Sequence, residues 1–251
     1  CSSVKIETEL HNDVDKAGIY HLRTCIIDSD GAEVAVVESK ERLEANERKV
    51  WTQQTEPIRE PKLWSPLTPI LYKAVSSLYK DGELIDCTET TFGFRWFTWT
   101  ADKGFFLNGK HWAIRGANVH QDQAGWGDAV TESAMRRDVV MMKDAGFNFI
   151  RGSHYPHAPA FVQACDEEGM MFWSEAPFWG IGGFQTDGYW NSSAYPVDSV
   201  HVIAFEESAL QQLEEMIRIH RNHPSIVAWS MCNEAFFSAQ QAMPGVRRLL
   251  K

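Results

Sequence analysis

The sequence predicts a multidomain protein in which an all-β region of about 98 residues precedes a parallel α/β region. In the first region, apolar and polar residues alternate with a period of two, as over residues 4–10. After about residue 105, short apolar runs alternate with segments of helical period. The first pattern predicts half-buried strands, and the second predicts parallel strands joined by helices.

The N-terminal region is predicted to be an immunoglobulin-like β-sandwich. An Asp-Gly pair at residues 81–82 separates two alternating segments, 71–79 and 83–91, and this arrangement is a strong hairpin signal. The proline-rich residues 60–69 predict a crossover, because proline lacks the N–H that a central strand donates. Six or seven short strands with turns between them are typical of such a sandwich.

Four strands and three helices are predicted in the C-terminal region. The strands are predicted at residues 112–118, 147–150, 170–173 and 226–229, and the helices at 131–146, 159–169 and 202–220. Thr131 is a predicted N-cap, and Pro159 and Gly169 bracket the second helix. The order βαβαβαβ requires a parallel sheet, either doubly wound or barrel-shaped. No GxGxxG or Walker loop follows the first strand, which disfavours a nucleotide site.

The composition excludes two classes of partner. A formal net charge of -10 is unsuited to nucleic acid, and no apolar run is long enough to span a bilayer. The five cysteines are scattered without a CxxC pair, which favours free thiols. Cys25 and Cys87 are the only plausible disulfide pair.

Each predicted parallel strand is followed by polar or ionisable side chains. These are Asn118 and His120, Arg151 and His154, Glu175, and Asn233 and Glu234. The carboxyl ends of parallel strands meet at one edge, where a (β/α) barrel carries its active site. Turns are polar in any case, but their usual residues are Gly, Ser and Asp rather than His, Arg and Glu. We therefore predict a site at this edge, with Glu234 as a candidate acid.

The same residues raise the alternative of a metal site. The potential ligands are His120, His154 and His157, with Glu175 or Glu234. His154 and His157 are separated by a Tyr-Pro pair and lack the i, i+4 spacing of helical zinc ligands. We favour hydrogen-bonding histidines in a polar pocket and expect no metal or other cofactor.

Aromatic residues are abundant, at 12% of the chain. Trp126, Trp179 and Trp190 are candidates for stacking on a sugar ring, whereas Trp173 lies inside a predicted strand and is expected in the core.

Two long motifs resemble the signatures of glycoside hydrolase family 2, the family of β-galactosidases, β-glucuronidases and β-mannosidases. The first, at residues 148–156, reads Asn-Phe-Ile-Arg-Gly-Ser-His-Tyr-Pro and continues to residue 173. The second, at residues 221–234, reads Arg-Asn-His-Pro-Ser-Ile-Val-Ala-Trp-Ser-Met-Cys-Asn-Glu. The resemblance implies an immunoglobulin-like β-sandwich over residues 1–98 and the first half of a (β/α)8 TIM barrel over residues 99–251.

The resemblance also implies roles for individual residues. Glu234 matches the general acid/base, and Asn233 matches the neighbour that hydrogen-bonds the sugar 2-hydroxyl. His120 and His154 match histidines that contact substrate, and Arg151 matches an arginine that supports the catalytic carboxylates. The nucleophilic glutamate of the family belongs on a later barrel strand, beyond residue 251.

Two departures from the family pattern stand out. Gly152 occupies a position where the signature usually has Ser, Thr, Ala, Cys or Asn. The Glu-x-His magnesium ligands of the best-known β-galactosidases are not found after Glu175, so no metal is carried over.

The expected function is hydrolysis of terminal β-glycosidic bonds, β-galactosidase-like, by a retaining two-carboxylate mechanism. The alternatives are a β-glucuronidase or β-mannosidase of the same family, or a non-catalytic carbohydrate-binding fragment. Glu175 is placed with the substrate-binding residues and is the sole internal candidate for the second carboxylate, ranked below a residue outside the chain. We expect a carbohydrate substrate, a homo-oligomer in the full-length enzyme, and no activity from the 251-residue segment alone.

Overall fold

A computed structural model describes residues 1–178, 200 and 202–234. The chain divides into two compact units. The sandwich unit comprises residues 1–64 and 70–95, and the parallel unit comprises residues 65–69 and 96–251. The predicted domain limits of 1–98 and 99–251 stay a prediction.

The sandwich unit contains six antiparallel strands. They are β1 (Lys5–His11), β2 (Gly18–Ile27), β3 (Glu33–Leu43), β4 (Arg48–Gln54), β5 (Tyr72–Lys80) and β6 (Glu83–Phe92). One sheet has the order β3-β2-β5-β6, and the other pairs β1 with β4. The predicted hairpin at residues 81–82 is confirmed: both residues have positive φ, 52° and 87°, as a two-residue turn of this twist requires.

The core of the sandwich unit follows from the period of its strands. Tyr20 and Leu22 alternate along β2 and are buried with Leu43 and Trp51. A polar link also crosses this core, because the buried Thr24 hydroxyl donates to Gln53 Oε1 at 2.7 Å. The polar pair is satisfied within the fold, so its burial carries little penalty.

The two cysteines considered for a disulfide lie on different strands of one sheet. Cys25 is on β2 and Cys87 is on β6, with β5 between them. Cys25 Sγ donates instead to Glu33 Oε2 at 2.8 Å, and burial raises the pKa of its thiol to about 11. All five cysteines are free.

The parallel unit opens with a small antiparallel sheet that the sequence analysis did not predict. It consists of β7 (Phe97–Thr100), β8 (Gly104–Leu107) and β9 (Lys110–His111). Phe105 and Leu107 on β8 are almost completely buried. These strands are two to four residues long, too short for their period to stand out in the sequence.

Four parallel strands follow in the order in which they occur along the chain. They are β10 (Gly116–Val119), β11 (Phe149–Gly152), β12 (Met171–Glu175) and β13 (Ile226–Ser230). The helices between them are α1 (Glu132–Asp144), α2 (Pro159–Glu168) and α3 (Val202–His220). Strands added in sequence order, with a helix between each strand and the next, form the beginning of a TIM barrel, as predicted.

The first predicted parallel strand, 112–118, is wrong at its start, because β10 begins only at Gly116. The Asn148 side chain takes the place of a strand partner here. Its Nδ2 donates to Ala113 O at 2.9 Å, and its Oδ1 accepts from Arg115 N at 2.8 Å. The backbone groups of Ala113 and Arg115 thus form hydrogen bonds with a side chain that is 33 residues from Arg115 in the sequence. The local sequence pattern does not reveal such a partner.

The predicted helix ends are confirmed where a specific residue marks them. Thr131 is the N-cap of α1 and accepts from Ala134 N. Pro159 opens α2, and Gly169 ends it with φ 71°. The helices cover one side of the sheet, where Val139, Ile150, Phe161, Val162 and Phe172 are among the buried core residues.

Among the described residues, no helix combines the length and the apolar character needed to cross a bilayer.

A buried polar cluster ties α2 to the beginning of β13. The Asp166 carboxylate accepts from His223 Nδ1 and from the backbone N–H of Ser225, the latter at 3.0 Å. The His220 ring lies 5.4 Å from the His223 ring, between centroids. His220 is 3% exposed, and its Nδ1 has no hydrogen-bond partner among the described residues.

Burial, and next the neighbouring His223, lower the pKa of His220 to about 4. The unfolded chain binds a proton here below about pH 6.5, whereas the folded chain stays neutral down to about pH 4. We therefore expect His220 to reduce the free energy of unfolding by about 3 kcal/mol as the pH falls from 6.5 to 4.

Urea unfolding of the wild type and of His220→Phe at several pH values between 7.5 and 4 measures this contribution. The variant should lose less stability over that range, and the titration of other groups cancels in the comparison. Parallel stability curves for the two proteins would contradict the expectation.

Candidate active site

Three neighbouring parallel strands bring polar side chains together at their carboxyl ends. In the register of the sheet, Arg151 on β11 lies beside Trp173 on β12, and Glu175 lies beside Ser230 on β13. The predicted strands stopped short of these polar residues, but β11, β12 and β13 continue through Gly152, Glu175 and Ser230. Arg151, Glu175 and Ser230 are therefore part of the sheet.

The Glu175 carboxylate is at the centre of this group and is completely buried. Arg151 donates to it through Nε at 3.2 Å and through Nη2 at 3.0 and 3.1 Å. His154 Nδ1 lies 2.8 Å from Oε1, and Trp173 Nε1 and Ser230 Oγ donate to Oε2 at 3.1 and 2.9 Å. A buried carboxylate is stable only when its charge is balanced and its lone pairs are hydrogen-bonded, and both conditions hold here.

Arg151 connects Glu175 to the segment that follows β13. Its Nη2 also donates to Asn233 Oδ1 at 2.9 Å. Asn233 is buried, and its backbone N–H donates to Phe178 O at 2.9 Å. The structure thus brings Arg151, Glu175 and Asn233 together, although 82 residues separate the first from the last.

The predicted histidines occupy the same edge of the sheet. The His120 and His154 rings meet edge to face with their centroids 5.1 Å apart. Tyr155 holds the chain after His120, because its hydroxyl accepts from Gln121 N at 3.1 Å. His120 therefore joins the group through His154.

His157, considered above as a metal ligand, lies in the core instead. Its Nδ1 and Nε2 each lie 3.2 Å from a backbone carbonyl, those of Tyr155 and Val119. Burial lowers the pKa of its imidazole. Within residues 1–178, 200 and 202–234, no three His, Cys, Asp or Glu side chains are grouped to hold a metal ion.

The four tryptophans considered for stacking have different outcomes. Trp173 was expected in the core, but it is only half-buried and its indole N–H donates to Glu175. The prediction of a core position was therefore wrong. Trp126 is 53% exposed on the segment after β10. Trp179 and Trp190 lie outside the described residues.

Glu234 follows Asn233 directly and is exposed. Its φ is 48°, in the left-handed region that a residue with a Cβ adopts rarely. Such backbone costs on the order of 1–3 kcal/mol and occurs in tight turns, as at Asp81, as well as at functional sites.

Gly152, the departure from the family motif, has a steric reason. A Cβ at this position would lie 2.5 Å from Phe172 Cζ and 2.9 Å from His157 Nδ1. Phe172 and His157 therefore occupy the space that a larger residue would need. The small size of Gly152 therefore complements the large ring of Phe172.

Comparison with known proteins decides the family. The family model described as "Glycosyl hydrolases family 2, TIM barrel domain" matches residues 100–250, and "Glycosyl hydrolases family 2" matches residues 2–95. The chain belongs to glycosyl hydrolase family 2. The predicted family, and its sandwich followed by the start of a TIM barrel, are thereby confirmed.

Relatives of the chain carry two different names. A β-glucuronidase of Bacteroides fragilis is 37% identical over 210 residues, which are 83% of this chain and 29% of the relative. A β-galactosidase of Bacteroides ovatus is 33% identical over 231 residues, 92% of this chain and 26% of the relative. The chain thus spans less than a third of the length of these relatives.

A solved structure of a family member is similar over nearly the whole chain. It is Bacteroides uniformis β-glucuronidase 2 covalently bound to cyclophellitol-6-carboxylate aziridine, with a TM-score of 0.83 and 33% identity. The match covers 99% of this chain and 29% of that one.

Sequence reasoning missed two partners of Glu175, Trp173 and Ser230. One signal was available, because Trp173 and Glu175 are two residues apart on a strand and so share a face. Ser230 gave no local signal, since it meets Glu175 only through the pairing of β12 with β13.

Gly152→Ala should destabilise the protein by about 1–3 kcal/mol, because the added methyl group overlaps the Phe172 ring in a closely packed core. Thermal or urea unfolding of Gly152→Ala, Phe172→Leu and the double variant checks this. The double variant should be more stable than the sum of the two single losses predicts, since the smaller side chain accommodates the methyl group. Additive losses would show that the two positions do not share this space.

Proposed function

We propose that the complete protein hydrolyses terminal β-glycosidic bonds with retention of anomeric configuration, and that Glu234 is its general acid/base. The observation that carries the proposal is the arrangement of Asn233 and Glu234 in the segment that follows β13. An exposed carboxylate, on backbone of positive φ, directly follows an amide that is anchored to Arg151. A rigid neighbour beside an accessible acid is what proton transfer to a fixed glycosidic oxygen requires.

The proposed reaction has two steps. In the first, Glu234 gives its proton to the glycosidic oxygen while a carboxylate attacks the anomeric carbon, so that the alcohol leaves and a glycosyl ester forms. In the second, the Glu234 carboxylate takes a proton from water, which attacks the anomeric carbon and releases the nucleophile. The covalent adduct named for the B. uniformis relative supports a covalent route.

Substrate contacts are assigned to the residues around Glu234. Asn233 hydrogen-bonds the sugar 2-hydroxyl, and His120 and His154 contact other parts of the sugar. Arg151 supports the carboxylates and fixes Asn233. These assignments rest on the resemblance and on the proximity of the side chains.

The nucleophile is proposed to lie outside the described residues. Glu175 is 0% exposed, and both of its oxygens accept hydrogen bonds from the surrounding side chains. A nucleophile must reach the anomeric carbon, and this carboxylate is closed off from it. The geometry therefore argues against Glu175 as the second catalytic carboxylate.

The sugar is proposed to be a β-galactoside or a β-glucuronide. The predicted function is β-galactosidase-like, whereas the relative at 37% identity is a β-glucuronidase and the one at 33% is a β-galactosidase. Nitrophenyl β-galactoside and β-glucuronide, assayed side by side with the complete protein, separate the two candidates. Turnover of neither, with binding of either sugar, would favour the non-catalytic alternative.

Glu234→Gln should reduce the hydrolysis of substrates with poor leaving groups by about a hundredfold or more beyond its effect on dinitrophenyl glycosides, because activated aryl groups leave without a proton. Steady-state rates for a series of aryl glycosides of rising leaving-group pKa measure this dependence. Glu215→Gln, an exposed carboxylate on α3, is the matched control and should behave as wild type. An equal loss across the series would assign Glu234 a different role.

The 251-residue segment should show no measurable turnover when it is assayed alone. The described residues form four parallel strands, whereas a closed barrel has eight. Loss of the second carboxylate removes several kcal/mol of transition-state stabilisation, a rate factor of about a thousand or more. An assay of the segment beside the complete protein tests this, and turnover by the segment that Glu175→Gln abolishes would make Glu175 the nucleophile.

A further inference from the structure

We propose that Glu175 is a positioning residue that sets recognition of the sugar 2-hydroxyl through Arg151 and Asn233. The inference rests on the proposed function. In this proposal, the buried carboxylate neither attacks the substrate nor contacts it. It acts by holding the residues that do contact the substrate.

The first step concerns the hydrogen bonds that Glu175 accepts. Five donor atoms from four side chains surround the carboxylate: Arg151 Nε and Nη2, His154 Nδ1, Trp173 Nε1 and Ser230 Oγ. A carboxylate accepts about four hydrogen bonds, so this set leaves little freedom to its oxygens or to the donors. Glu175 therefore determines where the Arg151 guanidinium lies.

The second step is the orientation of the Asn233 amide. A guanidinium only donates, so the atom of Asn233 that faces Arg151 Nη2 must be the carbonyl oxygen. The NH2 group of the same amide is then the end that donates toward a substrate hydroxyl. Without Arg151 in this place, either end of the amide could face the sugar.

The third step concerns His154. Because a carboxylate only accepts, the nitrogen 2.8 Å from Glu175 Oε1 must carry a hydrogen. In the neutral imidazole, this places the acceptor at Nε2. Glu175 thus determines the donor and acceptor ends of two groups that are proposed to contact substrate.

Glu175→Gln should disturb both groups. An amide of the same shape removes the negative charge and turns one acceptor oxygen into an NH2 donor that faces Arg151, His154, Trp173 or Ser230. The guanidinium then loses its counter-charge, and the Asn233 amide loses its fixed orientation.

The readout is the ratio of kcat/KM for an aryl glycoside to that for its 2-deoxy counterpart, measured with the complete protein. A general loss of folded enzyme lowers both values equally and leaves the ratio unchanged. In Glu175→Gln, we expect the ratio to fall about tenfold, within the range for residues that contact each other. Glu215→Gln, whose carboxylate is exposed on α3, is the matched control and should keep the wild-type ratio.

A double-mutant cycle shows whether Glu175 acts through Asn233. Asn233→Ala should lower the ratio, and adding Glu175→Gln to it should lower the ratio little further. An unchanged ratio in Glu175→Gln, or independent effects that multiply in the double variant, would overturn the proposal. Should Glu175→Gln not fold, Ser230→Ala removes one Glu175 contact and should lower the ratio in the same direction, and an unchanged ratio there would count against the proposal.

A second measurement does not depend on activity. The Nε–H of Arg151 donates to Glu175, so its proton should exchange slowly with water in the wild type and rapidly in Glu175→Gln, as followed by ¹⁵N NMR. Slow exchange in both proteins would overturn the proposal even if no substrate is found. Slow exchange only in the wild type, together with absence of turnover, would retain the positioning network and reject the proposed function.

Discussion

The Glu175 carboxylate is completely buried, and its negative charge has to be balanced within the parallel unit. Transfer of such a charge out of water costs several kcal/mol even after the surroundings relax, and removal of one partner costs about 3–5 kcal/mol. The balancing groups come from β11, from the segment after it, from β12 and from β13. A shift in the register of any of these strands would remove at least one partner of the charge, so the electrostatics of the site depend on the pairing of the sheet.

The segments on both sides of β13, the strand that precedes the candidate acid, are held by side-chain hydrogen bonds. At the beginning of β13, Asp166 accepts from His223 and from the Ser225 backbone. Beyond its carboxyl end, Arg151 donates to Asn233. Groups that act on substrate have to be fixed within a fraction of an ångström, and anchoring on strands achieves this better than anchoring on loops. The exposed Glu234 is thereby placed one residue beyond a rigid support.

The core residues next to the site are closely packed around Gly152. Gly152 lies next to Arg151 and gives its space to the Phe172 ring and to His157. The buried Phe172 belongs to the core that α2 and β11 share. The volume that a side chain at position 152 would need is therefore filled by these two neighbouring side chains.

The sequence by itself determined those features whose signals lie within a few residues of each other. Thr131 as a cap, the Pro159 and Gly169 ends of α2, and the hairpin at residues 81–82 were all predicted correctly, because caps and turns depend on local backbone geometry. The sequence also identified the family, through two motifs that are each continuous along the chain. It further indicated that polar residues follow each parallel strand.

Only the tertiary structure decided which contacts those polar residues make. Glu175 meets Arg151 across 24 residues and Ser230 across 55, and Arg151 meets Asn233 across 82. The side chain of Asn148 forms the hydrogen bonds that a neighbouring strand would otherwise form with residues 113–115. The indole N–H of Trp173 donates to Glu175. Such contacts depend on which strands are neighbours and in what register. That information belongs to the folded sheet, because no periodicity along the chain encodes it.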